Sequence, residues 1–245
     1  MEKPTLVVEG KRLDGRAFDQ LRPIKMKAHV INAADGSAYV EWGDNKVLVG
    51  VYGPKECLPR HMANPYKAIV KCRYSMAPFS VLEERIRTGP SRRSTELSMV
   101  IRQVFEHTMF LEAYPETEID IFIDILQAGG GTRCAGITAA SIALADAGIP
   151  MRDLICAVSA GKIDGQIAVD LSKDEDNYGE ADVPVAIAPR NKDILLFQMD
   201  GLLTRDEIEH MLDLAYSASS VINRMQVDAL KEAYSGERTE AVLPL

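Results

Sequence analysis

From Ile119 to Ile125 every second residue is isoleucine, a period-two alternation that predicts a half-buried strand leading into Gly129-Gly130-Gly131-Thr132-Arg133. Weaker alternation marks residues 22–32, with Ile24, Met26, Ala28 and Val30 on one side, and then residues 38–42, 46–52 and 68–74. In the last of these Ile69, Lys71 and Arg73 face one way, so basic side chains share a face. Asp35-Gly36 reads as a two-residue hairpin and Gly43-Asp44-Asn45 as a turn, which makes a meander of these strands. Helical spacing takes over in residues 92–112, where Leu97, Val100, Ile101, Val104, Phe105, Thr108 and Leu111 form a stripe behind Pro90 and Ser91. Residues 134–147 predict a second helix, apolar on nearly every face and therefore deeply buried, closed by Gly148 and Pro150. Strands over 155–162 and 166–171 flank an Asp164-Gly165 turn, and two more, over 183–188 and 194–199, follow an acidic loop. A capping box, Thr204 and Glu207, opens a final helix with Ile208, Met211, Leu212 and Ala215 beginning its apolar side. Past Tyr234 the chain is expected to fray, with 236–245 a flexible tail.

Meanders and helices without regular βαβ alternation predict an α+β fold in which helices cover one face of mainly antiparallel sheets. A single domain over 1–245 is expected, with halves over 11–114 and 115–235 that each contribute strands and a helix.

Charge narrows the functional classes. The formal net charge of −8 argues against coating nucleic acid by bulk electrostatics, so any RNA contact has to be local. Basic residues do gather once, at Arg85, Arg87, Arg92 and Arg93, beside only two acids, Glu83 and Glu84. No apolar run is long enough to cross a bilayer, and Met1-Glu2-Lys3-Pro4 lacks the layout of a secretory signal. A cytoplasmic location with no membrane partner is expected. Cys57, Cys72, Cys134 and Cys156 have no CxxC spacing, so neither disulfides nor structural zinc are expected. His29, His61, His107 and His210 are scattered, and no Ser/His/Asp or Cys/His arrangement supports covalent catalysis.

The sharpest chemical clue is a charge of the wrong sign. A helix N-terminus carries roughly half a positive charge, and a cation placed there forfeits about 0.3–1 kcal/mol. Yet Arg92, Arg93 and Arg133 stand in or beside the first turns of the two predicted helices. A bound anion resolves the conflict, because free N–H groups, guanidinium forks and a backbone opened by Gly129 to Gly131 together make a phosphate site. The plainer reading is a tight strand-to-helix turn with solvated arginines. Walker A chemistry fails, since Ile137 occupies the place of the required lysine, and the dinucleotide fingerprint fails at Cys134.

Five carboxylates occupy the nine positions from Asp174 to Asp182. An EF-hand is excluded, because Tyr178 and Val185 stand where ligands belong. A solvated acidic loop is the plain reading; what favours chemistry is Asp182, directly before an apolar strand where it is partly desolvated. Crowded carboxylates raise one another's pKa, which suits one of them to donate a proton, and a close pair could instead hold Mg²⁺.

Six stretches carry a resemblance to a known family: Arg12-Leu13-Asp14-Gly15-Arg16, Tyr74 to Ser80, Pro90-Ser91-Arg92-Arg93, Gln127 to Arg133, Leu144 to Pro150 and Glu175 to Asp182. In this order they resemble the RNase PH family over nearly the whole chain, and within it the catalytic branch found in archaeal exosome rings. That likeness implies an RNase PH-like fold of two pseudo-repeated β/α halves, like the second domain of ribosomal protein S5. It implies attack of inorganic phosphate on the terminal phosphodiester of single-stranded RNA at its 3′ end, releasing nucleoside diphosphates. Carried over by motif, Gly131, Thr132 and Arg133 would hold phosphate, and Arg92 and Arg93 would neutralise RNA phosphates, with Arg93 nearer the chemistry. Asp182 would be the general acid, with Asp176 assisting it or sharing a divalent ion. Arg60 and His61 would line the narrow mouth of the ring and, with Arg73, touch RNA. The implied partners are a related inactive RNase PH-like subunit in a hexameric ring, a trimer of heterodimers, and RNA-binding cap subunits. Gly129-Gly130 departs from the pattern where some relatives carry an acid. The alternatives are a self-sufficient homohexamer trimming transfer-RNA ends and a catalytically silent RNA-binding ring subunit, against which the set Arg92, Arg93, Arg133 and Asp182 speaks.

Overall fold

The computed structural model of the protein describes residues 4–81 and 89–235; Arg85, Arg87 and the tail from residue 236 onward lie outside them. Two short strands, β1 (Val7–Val8) and β2 (Lys11–Arg12), form a small hairpin at the start. The first large sheet contains β3 (Ile24–Ala28), β4 (Gly36–Trp42), β5 (Asn45–Glu56), β6 (Ile69–Met76) and β7 (Thr117–Gln127), in the order β3-β4-β5-β7-β6. Its alternation behaves as the sequence predicts. Val47, Val49 and Val51 of β5 and the four isoleucines of β7 are all buried on one face. Each such side chain stabilises the fold by about 1.5–3 kcal/mol relative to an exposed position.

The helix α1 (Arg92–Thr108) carries the chain from β6 to β7, which lie parallel; the other pairings in this sheet are antiparallel. One βαβ unit therefore sits inside a meander. The helix stops at Thr108 rather than residue 112, and Leu111 belongs instead to a separate single 3-10 turn. Because β7 is hydrogen bonded between β5 and β6, the first sheet draws strands from both sides of residue 114.

The second sheet contains β8 (Cys156–Ile163), β9 (Gln166–Val169), β10 (Ala181–Ala188) and β11 (Asp193–Phe197), in the order β11-β10-β8-β9, with β12 (Asp200–Gly201) pairing β10. One helix serves both large sheets. The helix α2 (Thr132–Asp146) packs on β4 and β5 on one side and on β8 on the other, which is why nearly every one of its residues is buried. A helix enclosed by two sheets has no solvent face to mark with polar residues.

Three further corrections have local causes. Asp35-Gly36 is not a hairpin turn. Gly36 is the first residue of β4, and a Cβ there would meet the Ala143 carbonyl oxygen and the Ala147 nitrogen at 2.3 Å, so glycine is required by close approach to the end of α2. The strand β3 ends at Ala28 because His29 takes a left-handed φ of 57°, leaving Val30 and Ile31 in the connecting loop. The acidic stretch is likewise more than a loop: residues Lys173–Tyr178 form a short helix, α3, opened by a capping box between Ser172 and Glu175. The last helix, α4 (Arg205–Tyr234), starts at its Thr204–Glu207 box and packs on β3, β8 and β9. Among the described residues no helix is long and apolar enough to cross a membrane.

Candidate active site

The strand β7 delivers the chain to a glycine turn where Gly130 and Gly131 have φ of 87° and 70°. Gly131 is the N-cap of α2 and offers no side chain to its first turn. A left-handed residue followed by a helical one turns successive N–H groups into one concavity, a nest suited to an anion. The loop's carbonyls are pinned the other way. Arg22 donates to Gly129 O at 2.8 Å and to Gly130 O at 3.2 Å, and Asn45 Nδ2 donates to Gly130 O at 2.5 Å. In a planar trans peptide the N–H opposes the preceding C=O, so the N–H groups of Gly130 and Gly131 face away from Arg22. Among the described residues neither meets a protein acceptor. The start of α1 differs, because Ser91 accepts from Ser94 N at 3.0 Å and caps it. Of the three helix starts carrying arginine, those of α1, α2 and α4, only that of α2 has no capping side chain.

Thr132 Oγ1 accepts from the buried Tyr74 hydroxyl at 2.8 Å, which ties the nest to β6. Burial pushes the Tyr74 phenol up, while the Thr132 hydrogen bond and the nearby Arg93 and Arg133 cations pull the other way. Arg93 is exposed at the second position of α1. It lines an open cavity of about 650 Å³ together with Arg73, Tyr74, Ser94 and Asp124. Arg133 donates through Nη1 to Gln198 Oε1, and Gln198 Nε2 donates to Glu96 of α1 at 3.1 Å. Among the described residues Arg133 Nε is buried without an acceptor.

The acidic side is anchored below the surface. Arg12 reaches Glu175 through Nε at 2.7 Å and Nη2 at 2.5 Å, and Ser172 N donates to Glu175 at 2.7 Å. Burial raises the Glu175 carboxyl, but Arg12 and the Ser172 amide outweigh it and hold it below the usual carboxylate range. That pair fixes α3 and so carries Asp176 toward Asp182, the second residue of β10. Ser159 Oγ donates to Asp182 Oδ1 at 2.6 Å. Burial, with the negative charge of Asp176 and a hydrogen bond shared with it, pushes Asp182 up to about 6, against the opposing pull of Ser159 and Arg133. Crowding alone predicts the direction; burial is the larger cause. A Cβ on Gly130 would lie 2.5 Å from Lys173 N at the start of α3, and α2 packs on β10, so the nest adjoins the segments that carry Asp176 and Asp182.

The structure thus brings together Gly131, Thr132, Arg133, Asp176 and Asp182, with Arg93 and Arg73 on the cavity that opens beside Tyr74. Arg92 is exposed and outside that cavity's lining. Arg60 and His61 are not part of the cluster: they follow the Glu56 end of β5, opposite Thr117, whereas the nest follows Gln127. The length of β7, roughly 30 Å at about 3.3 Å per residue, separates the two. Arg60 is exposed and ion paired with Glu56 at 2.7 Å.

Sequence reasoning missed the supporting residues. Arg22 and Asp170 form a buried pair at 2.7 Å, and Asn45, Ser159, Tyr74 and Gln198 were given no role. Their partners are distant in the chain, so spacing carries no signal. The exception is Ser172-x-x-Glu175, a legible capping box. As for a metal, no group of three or more potential ligands gathers among the described residues. Asp176 and Asp182 offer two carboxylates, which suffices for Mg²⁺ that keeps most of its water.

Comparisons with known proteins bear on the family and the fold. Models of the 3′ exoribonuclease family match twice, RNase PH domain 1 over residues 20–150 and domain 2 over residues 153–218. An exosome complex component Rrp41 from Thermococcus onnurineus is 60% identical over 225 residues, 92% of this chain and 90% of that protein. Its counterpart in Pyrococcus abyssi is 57% identical over 238 residues, 96% and 95% of the two chains. Among solved structures, rice Rrp46 superposes with a TM-score of 0.81 at 24% identity, over 90% of this chain and 100% of that one. The Archaeoglobus fulgidus exosome with RNA bound to the active site gives 0.75 at 24% identity, over 88% and 92%. At that identity the two structures speak for the fold.

Proposed function

Since the chain belongs to the RNase PH family of 3′ exoribonucleases, we propose that it is the phosphorolytic subunit of an exosome-type ring, degrading single-stranded RNA from the 3′ end in the cytoplasm. Its relatives named Rrp41 support the exosome setting at about 60% identity over nine-tenths of their length. The nest of Gly130, Gly131, Thr132 and Arg133 N–H groups holds inorganic phosphate, the co-substrate. Arg93 and Arg73 receive the terminal RNA phosphates, Arg92 extends that basic surface, and Arg60 and His61 meet incoming RNA at a distance from the chemistry.

An oxygen of the bound phosphate attacks the terminal phosphorus in line, and the bond to the 3′ oxygen of the penultimate nucleotide breaks. Asp182 gives its proton to that departing oxygen and is reprotonated from solvent. A nucleoside diphosphate and RNA one nucleotide shorter result. Placing one phosphate against another costs repulsion, which Arg93, Arg133 and the α2 dipole offset while fixing alignment. Because a phosphoanhydride replaces a phosphodiester, the reverse reaction, tailing of RNA from nucleoside diphosphates, belongs to the same site. Were Mg²⁺ held at this site, Asp176 and Asp182 would be its ligands and it would supply charge neutralisation.

One observation carries the reading: an uncapped, glycine-led helix start bearing Arg133 adjoins an acid whose pKa is pushed up to about 6. The chain assembled with an inactive RNase PH-like partner and any cap subunits is expected to release nucleoside diphosphates only when inorganic phosphate is present. Release of nucleoside monophosphates in phosphate-free buffer overturns the mechanism.

A further inference from the structure

The glycine turn is held by a side chain that the chemistry does not use. Asn45 is fully buried at the start of β5, just past the two-residue turn Gly43-Asp44. Its amide engages the loop with both ends: Oδ1 accepts from Gly129 N at 2.7 Å, and Nδ2 donates to Gly130 O at 2.5 Å. We propose that Asn45 is a positioning residue for the phosphate co-substrate, clamping Gly129-Gly130 so that the N–H groups of Gly130 and Gly131 point into the anion site. This rests on the phosphate-site reading above and deepens it.

Three features make the clamp specific. Only a carboxamide places a donor and an acceptor side by side in one plane, which lets Asn45 act like a neighbouring strand's peptide toward a segment that has left the ladder. Arg22, buried against Asp170, meets the Gly129 and Gly130 carbonyls from its own side but cannot accept, so Gly129 N depends on Asn45. The loop has no slack on its other faces. A Cβ on Gly129 would lie 2.7 Å from the Asp44 Cβ, and one on Gly130 would lie 2.5 Å from Lys173 N. With both carbonyls captured on one side, peptide planarity leaves the following N–H groups the opposite direction. The β4–β5 turn of the first sheet therefore sets the aim of an anion site at the start of α2.

Asn45→Asp tests this with almost no change of shape: the acceptor for Gly129 N remains, while a carboxylate now opposes Gly130 O and favours reversal of that peptide. Asn45→Ala removes both bonds without adding charge. For the assembled enzyme, the KM for inorganic phosphate is expected to rise about tenfold in either variant, the equivalent of about 1.4 kcal/mol, with the KM for RNA within about twofold. A folded Asn45→Ala protein with an unchanged phosphate KM overturns the proposal. A measurement on the wild-type chain covers the case in which neither variant folds. On titration with inorganic phosphate, the amide resonances of Gly130 and Gly131 should move while that of Gly129, committed to Asn45, stays. Equal movement of all three overturns the proposal. If wild-type enzyme degrades RNA without phosphate and no amide responds to it, the site reading itself has failed. If phosphate acts normally but is indifferent to Asn45, only this inference has.

Discussion

Removing the Ser159 hydroxyl should shift the pH dependence of phosphorolysis toward alkali. Ser159 stabilises the ionised form of Asp182 through a 2.6 Å hydrogen bond, against burial and the Asp176 charge, which together push that acid up to about 6. A hydrogen bond to a charged group contributes about 1.5–3 kcal/mol, and one pKa unit corresponds to about 1.4 kcal/mol. Water entering the space left by the hydroxyl restores part of this, so Ser159→Ala should raise Asp182 by about one unit. The proposed reaction uses the protonated acid. At about pH 8 roughly one wild-type molecule in a hundred carries that proton, against about one in ten for the variant; at about pH 5 both are mostly protonated.

The assay is the pH profile of kcat/KM for phosphate, compared between wild type, Ser159→Ala and Ser159→Thr. Ionisation of free phosphate bends all three profiles alike and cancels in the comparison. A weaker acid also donates less readily, so the position of the alkaline limb is diagnostic rather than the height of the plateau. The threonine variant keeps the donor and should track wild type. An alkaline limb that stays in place in Ser159→Ala, or moves toward acid, would refute the assignment of Asp182 as proton donor.

Asp182→Asn should abolish phosphorolysis and at the same time stabilise the fold at neutral pH. An acid whose native pKa is raised from 3.8 to about 6 contributes stability below pH 3.8 that is lost as pH rises through about 6. Calorimetry should therefore find the variant more stable by up to about 3 kcal/mol near pH 8, and close to wild type near pH 4. Glu175→Ala leaves the Arg12 guanidinium buried and uncompensated, a loss of about 3–5 kcal/mol that denaturant unfolding will register. Both Gly130→Ala and Gly131→Ala impose a positive φ, but the first puts the new Cβ 2.5 Å from Lys173 N, whereas the second meets the end of the Arg22 side chain at 3.3 Å and the Leu171 carbonyl oxygen at 3.9 Å. Phosphate-dependent activity should fall much further in the first variant than in the second, and equal losses would count against the packed-loop account. Arg93→Ala should raise the KM for RNA and weaken its salt dependence, with phosphate binding to the free enzyme little changed.

What the sequence discloses and what it conceals follow one physical division. Alternation and helical spacing are local, so the isoleucines of β7, the stripe of α1 and the Thr204–Glu207 cap are legible one window at a time. Wrong-signed charge at a helix start is local too, which is why Arg133 could be singled out without coordinates. Gly36 looked like a turn because a glycine demanded by a neighbouring helix is indistinguishable in sequence from one demanded by φ. The acidic segment was read through its charge, although Ser172 and Glu175 carried the helix signal. Arg22 with Asp170, separated by 148 positions, and Asn45 with Gly130, separated by 85, announce themselves only once the chain has closed.

That division bears on how the site works. The groups proposed to touch phosphate and RNA lie on segments with local signatures, while those that aim them come from β4–β5, the N-terminal segment and β8. Arg12 bonds Val169 O and Asp170 O as well as Glu175, and Arg22 joins Asp170 to the glycine turn. The proposed anion nest and the α3 helix that carries Asp176 are thereby fastened to one buried charged network instead of being held independently. Disturbing Asp170 should therefore misplace the phosphate and Asp176 together. Substitutions at Ser159 or Asn45 should perturb Asp182 or the phosphate respectively, while sparing the other.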